Sequence, residues 1–222
     1  MVAISRREIG LVALCCCVAA ALLAPAGAGA ACGKAKRWAA AADAGLGAAP
    51  LAIGDSVMLG AAPETAALGY DVDVRGCRQV SEGLRILRQR ARRGPLPRLV
   101  VVALGSNWTF TTGDVRALLR VLGPSRLLAL VTPRELRGVP DDAPTLRAAA
   151  RRWPNRVALV DWAAYSRKRP RLTGSDGIHL SIAGRRAFAR LLAGPLARAR
   201  GETAPTAPPS GGGTAGGGAT AP

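Results

Sequence analysis

One histidine occurs in the whole chain, His179, and it follows Asp176 by three positions in Ser175-Asp176-Gly177-Ile178-His179-Leu180-Ser181. Imidazole is the side chain best suited to carry protons near neutrality. A carboxylate close by can accept from its Nδ1–H and leave Nε2 free to take a proton from a nucleophile. Ser56, in Gly54-Asp55-Ser56, supplies a hydroxyl at the end of an apolar run and the start of a helical pattern. There, backbone N–H groups and the helix dipole favour a developing negative charge. Asn107, in Gly105-Ser106-Asn107, adds a side-chain N–H donor for an oxyanion. Together these residues make an activated nucleophile for acyl transfer, with Ser56 attacking, His179 as base and Asp176 orienting it. Asp55 reads as the carboxylate that holds the turn through backbone hydrogen bonds.

The elements that must position these groups alternate along the chain. Apolar runs at Pro50–Ile53, Tyr70–Val74, Leu99–Leu104, Leu127–Val131 and Val157–Val160 read as strands. Helical spacing covers Met58–Leu68, Ser81–Arg92, Asp114–Leu122 and Ala143–Trp153, and a last helix is expected from Ser181, its N-cap, towards Leu196. Strands alternating with helices predict a five-stranded parallel sheet covered on both faces. The three polar turns follow the first, third and fifth strands, so they converge at the carboxyl edge where open α/β sheets build their sites.

The blocks Gly54–Ser56, Gly105–Asn107 and Asp176–His179, in this order, resemble those of the SGNH (GDSL-type) hydrolases, over roughly residues 50–196. The resemblance implies a flavodoxin-like three-layer α/β/α sandwich and an esterase, lipase or carbohydrate O-acyl enzyme that needs no cofactor. It assigns Ser56 as nucleophile, His179 as base, Asp176 as its partner, and the Ser56 N–H and Asn107 as oxyanion donors. The family's further donor is a glycine N–H after the second strand. Gly76 in Val74-Arg75-Gly76-Cys77-Arg78-Gln79 fits, and a shift of one residue gives the role to the Cys77 N–H. Trp108 stands where many members carry Asp, and reads equally as a core residue or a sugar-stacking wall. Within the family, Ala52–Met58, Arg78-Gln79 and Asp161-Trp162 are most similar to the extracytoplasmic domains fused to membrane acyltransferase-3 proteins, which O-acylate envelope polysaccharides. With no multi-helix membrane portion, this chain is expected to act as a free-standing esterase, or as a transferase supplied by a membrane acyltransferase. The substrate implied is an acylated glycan or a small ester.

The two ends fit export. Arg6 and Arg7 precede an apolar stretch from Ile9 to Leu23, and Ala28-Gly29-Ala30 offers a cleavage site, so residues 1–30 read as a signal peptide. Lipidation at Cys32 ranks second, because Gly29 occupies a position that normally wants a larger aliphatic residue. Cys15, Cys16 and Cys17 would leave with the leader; Cys32 and Cys77 remain, free to pair in an oxidising compartment. Residues 31–49 read as a linker, 50–200 as the folded domain, and 201–222 as a disordered Gly/Pro/Ala/Thr tail. No metal-ligand spacing is present. The net charge of +17 is carried almost wholly by arginine, with only Lys34, Lys36 and Lys168 as lysines. Aromatic residues make up 4% of the chain, too few to line a nucleic-acid groove, so specific nucleic-acid binding is not expected. A basic surface on an exported protein suits peripheral contact with anionic envelope polymers or headgroups. The alternative reading is a non-catalytic envelope-polymer-binding module that keeps the same fold.

Overall fold

The computed structural model describes residues 32–134 and 141–202. The expected leader at 1–30 and almost all of the expected tail lie outside the described residues. At the centre is a six-stranded sheet of β1 (Lys36–Trp38), β2 (Leu51–Gly54), β3 (Asp71–Val74), β4 (Leu99–Ala103), β5 (Leu127–Val131) and β6 (Val157–Val160). The strand order is β1-β3-β2-β4-β5-β6, with β2 to β6 parallel and β1 antiparallel on the β3 edge. The five parallel strands thus have flavodoxin-like order, and the chain changes direction about β2.

The sixth strand corrects the expected count of five. β1 falls in the stretch read as a linker, because Lys36-Arg37-Trp38 is too short and too charged to announce a strand. Charge on a short edge strand also discourages pairing with another chain.

Alternation along the strands sends side chains to two separate cores. On one face Val100, Val102, Leu128 and Leu130 pack under α3 (Val80–Arg93), α4 (Thr112–Leu122) and α5 (Ala143–Arg152), with Leu87, Leu118 and Leu146 buried between. On the other, Ala52, Ala103, Ala129 and Ala158 face α1 (Ser56–Gly60), α2 (Ala62–Ala67), α6 (Trp162–Arg167), α7 (Ile182–Leu191) and α8 (Ala193–Arg200). The small residues on this face leave room for Trp162, which meets Phe188 edge-on with ring centroids 5.4 Å apart. Each buried Val, Leu or Phe stabilises the fold by about 1.5–3 kcal/mol before chain entropy is counted. The result is a three-layer α/β/α sandwich.

Two expected helices are divided, each for a reason involving proline. Residues 58–68 form the end of α1 and then α2, broken at Ala61, with Pro63 in the first turn of the second helix where its missing N–H costs nothing. The last helix breaks at Leu192, because the ring of Pro195 would clash with the carbonyl of Leu191 in a continuous helix. Ser181 caps α7 as expected, its Oγ accepting from the Gly184 N–H at 3.1 Å. Among the described residues no helix is long and apolar enough to cross a membrane.

Candidate active site

The parallel register sets Gly54 level with Val74 and Ala103 on its two neighbours. Ser56, Gly76 and Gly105 each lie two residues beyond that line, so three adjacent strands deliver their turns to one edge. Gly54 makes the strand-to-helix elbow possible: a Cβ there would stand 2.4 Å from the Met58 Cβ. Asp55 then caps α1, its Oδ1 accepting from the Val57 N–H at 2.9 Å, and Ser56 opens the helix.

His179 reaches Ser56 on a loop that closes on itself. Thr173 and Leu180 pair as an antiparallel bridge, the Gly174 N–H donates to the His179 carbonyl at 2.8 Å, and the Ser181 N–H donates to Leu172 at 3.1 Å. Within the loop, Asp176 Oδ1 accepts from the N–H groups of Ile178 and His179 at 2.9 and 3.0 Å. Its other oxygen, Oδ2, lies 2.6 Å from His179 Nδ1, and His179 Nε2 lies 2.9 Å from Ser56 Oγ. Ser56, His179 and Asp176 therefore form one continuous hydrogen-bonded chain. The His179 ring and these backbone donors hold the Asp176 carboxyl down at about 2. Asp176 and His179 are both about half exposed, so the chain opens onto the surface rather than into a tunnel.

Asn107 joins through Asp55. Its Nδ2 donates to Asp55 Oδ2 at 3.4 Å, a long contact that still points the amide at the elbow. Asp55 does hold the turn, as its position suggested, and the bond to Asn107 is the part that local sequence could not reveal. Burial pushes its carboxyl up to about 6, against the lowering effect of hydrogen bonds from Val57 and Ser106.

The turn after β3 carries Gly76 and Cys77. Cys77 is disulfide-bonded to Cys32 and has φ of 55°, the one positive value at a non-glycine among the described residues. Gly76 lies so close to the N-terminal segment that a Cβ would stand 2.8 Å from the Cys32 carbonyl oxygen. Beneath the turn, the fully buried Arg78 donates to the carbonyl of Asp73, to Asp73 Oδ1 at 2.8 Å, to Glu82 Oε1 at 3.3 Å and to the Gly54 carbonyl at 3.4 Å. One guanidinium thus braces the β2 elbow against the β3 turn. Its signal in sequence was the Arg78/Glu82 pair one helical turn apart, which reads as a surface pair until β3 supplies Asp73. Trp108 is 69% exposed, which removes the core reading of that residue. Among the described residues no group of three or more His, Cys, Asp or Glu side chains could hold a metal ion.

The architecture has clear counterparts. It superposes on the C-terminal catalytic domain of Streptococcus pneumoniae peptidoglycan O-acetyltransferase A, solved with a methylsulfonyl adduct, with a TM-score of 0.63 and 23% identity over 70% of this chain and 96% of that one. The fold is also shared with a putative SGNH hydrolase from Slackia heliotrinireducens, at a TM-score of 0.51 and 22% identity over 65% of this chain and 96% of that one, so the architecture is SGNH-like. A two-domain esterase active on acetylated mannans shares the fold at a TM-score of 0.50 and 16% identity, over 76% of this chain and 54% of that one. In sequence, the O-acetyltransferase OatA of Staphylococcus aureus (strain NCTC 8325 / PS 47) is 32% identical over 151 residues, 64% of this chain and 24% of the relative. The chain thus spans about a quarter of the length of that curated relative. No family model matches the chain.

Proposed function

We propose that the protein is an exported serine esterase or O-acyltransferase that moves acetyl groups on an envelope glycan through an acyl-enzyme on Ser56. The observation that carries this reading is the unbroken Ser56–His179–Asp176 chain at the carboxyl edge of the sheet. Ser56 Oγ attacks the ester carbonyl as His179 Nε2 takes its proton, and Asp176 holds the ring and balances its charge. The oxyanion of the tetrahedral intermediate lies against the Ser56 N–H, the Gly76 N–H and the second amide hydrogen of Asn107. Collapse expels the sugar alkoxide, which takes the proton from His179 and leaves acetyl on Ser56. Water or another sugar hydroxyl then attacks, with His179 again serving as base, to give acetate or a new ester.

The acetyl group and the glycan are supported by what the relatives are named for, O-acetyl transfer to peptidoglycan and esterase activity on acetylated mannans. The open setting of His179 and Asp176 suits a bulky polymer better than a narrow tunnel would. Export is supported by the Cys32–Cys77 disulfide, which belongs to an oxidising compartment, and by the leader pattern in residues 1–30. A membrane acyltransferase is the partner that would supply acetyl groups for transfer, and the excess of arginine would hold the protein near anionic envelope polymers.

Mass spectrometry of the protein quenched during turnover of 4-nitrophenyl acetate tests the reading. An acetyl group on the Ser56 peptide, absent from Ser56→Ala, is expected. An unmodified serine with no turnover of any short acyl ester, alongside polymer binding lost at high salt, would instead establish the non-catalytic binding module.

A further inference from the structure

Two large apolar side chains are exposed among the described residues, Trp108 and Ile182, at 69% and 71%. Both belong to segments that carry the candidate catalytic groups. Trp108 directly follows Asn107, and Ile182 lies three residues after His179. A scattered exposed leucine needs no explanation, but an indole held in water beside a reactive centre does.

The exposure of Trp108 is enforced from both sides. Asn107 is tied to Asp55, and three residues later Phe110 is fully buried while its N–H donates to the buried Asp142 carboxylate at 2.5 Å. The short span between these anchors presents the indole outward. Its surroundings in sequence, Ser106-Asn107-Trp108-Thr109, are polar and uncharged in a chain of net charge +17. A flat apolar face with a neutral hydrogen-bonding rim matches the chemistry of a neutral sugar ring, whose C–H face is apolar and slightly positive and whose edge carries hydroxyls. The negative face of an aromatic ring attracts such a surface.

We propose that Trp108 is the platform on which a neutral pyranose ring of the substrate or acceptor glycan stacks, setting the preference for a sugar over a small ester. The inference rests on the acyl-transfer reading of the Ser56 site. It departs from the acidic residue that many SGNH hydrolases carry after the asparagine, so it assigns this chain a recognition surface of its own.

The test compares wild type, Trp108→Ala and Trp108→Phe with chitotetraose and mannotetraose as neutral oligosaccharides. Isothermal titration calorimetry reads oligosaccharide affinity in all three proteins, tryptophan fluorescence reports contact in the wild type, and hydrolysis of 4-nitrophenyl acetate, with and without the oligosaccharide, reads the reaction. At least one oligosaccharide is expected to perturb wild-type fluorescence. Trp108→Ala should weaken that oligosaccharide by about tenfold more than it weakens the small ester, and Trp108→Phe should recover most of the loss. Silence of wild-type fluorescence with both sugars would overturn the proposal, as would equal losses on sugar and small ester in Trp108→Ala. A wild-type dimer that Trp108→Ala dissolves in sedimentation would overturn it too, since the indole would then be a contact between copies of this chain. Oligosaccharide binding by a protein inert towards the small ester would leave the platform standing and refute the esterase reading, so the two failures are separable.

Discussion

Replacing Arg78 with Met removes the guanidinium that joins the two turns flanking Ser56. Arg78 is fully buried, and Asp73, its main partner, is 1% exposed. Breaking a buried ion pair by deleting one member costs about 3–5 kcal/mol, because the remaining charge stays buried. Two features place this case at the lower end. Asp73 keeps Arg37 at 3.0 Å and Arg90 at 3.3 Å, and the Gly54 carbonyl keeps the N–H of Arg75 at 3.2 Å. Against this, Glu82 loses one partner and the Asp73 carbonyl loses a charged donor. The net expectation is about 3–4 kcal/mol, or a fall in Tm of about 6–16 °C for a domain of this size. Arg78→Lys keeps the charge without the planar fork, which cannot serve two carboxylates and two carbonyls together, so about half the loss is expected. Denaturant unfolding at neutral pH measures both, and 4-nitrophenyl acetate turnover well below the melting temperature should fall about tenfold in Arg78→Met, as the elbow is no longer fixed. Stability within about 1 kcal/mol of wild type would refute the bracing role.

Reducing the Cys32–Cys77 bridge frees a 45-residue separation and should cost about 4 kcal/mol by loop entropy. Because it also releases the segment against Gly76, turnover should fall before near-ultraviolet circular dichroism reports unfolding; simultaneous loss would contradict a role for the bridge at the site. Asp55, pushed up to about 6 by burial, binds a proton in the folded state that an unfolded Asp does not hold between about pH 4 and 6. Its effect is therefore to raise stability as pH falls through that window, while turnover falls because the protonated carboxyl no longer serves both Val57 and Asn107; Asp55→Asn should melt higher than wild type at pH 8 yet turn over slowly at every pH, and a lower Tm there would refute the sign. Asp176, held at about 2, stays ionised throughout this range and cannot produce that acid limb. Asp176→Asn should lower kcat on 4-nitrophenyl acetate by less than His179→Ala does, since the imidazole remains and loses mainly its orienting partner and tautomer control; an equal or larger loss would contradict that role.

The site was legible where chemistry was local and illegible where it depended on what the sheet brings together. Asp176, Ile178 and His179 lie within one loop, and their hydrogen bonds follow from their spacing. Ser56 and Asn107 could be matched because both follow apolar runs whose parallel pairing is forced by the helices between them. The strand sequences also fixed which residues face which core, as at Val100 and Val101, since alternation leaves little choice. Arg78 was different. In sequence it is one arginine among many, and only the pairing of β2 with β3 puts Asp73 and the Gly54 carbonyl around it. β1 was hidden because an edge strand needs no apolar pattern, and the helix breaks at Ala61 and Leu192 were hidden because the apolar spacing continues across them. The pairing of Cys32 with Cys77 was suggested by compartment and count, and its consequence for Gly76 became visible only in three dimensions.

The central claim is that Ser56 and His179 act as one catalytic unit, and a double-mutant comparison tests it most directly. Purified Ser56→Ala, His179→Ala and the double variant, each checked for native melting, are assayed for kcat on 4-nitrophenyl acetate. Each single substitution should lower kcat by roughly 10⁴ or more, and the double variant should be little worse than either, since removing one member already disables the unit. Substantial turnover in folded His179→Ala, which has no other imidazole to substitute, or losses that multiply in the double variant, would contradict the account.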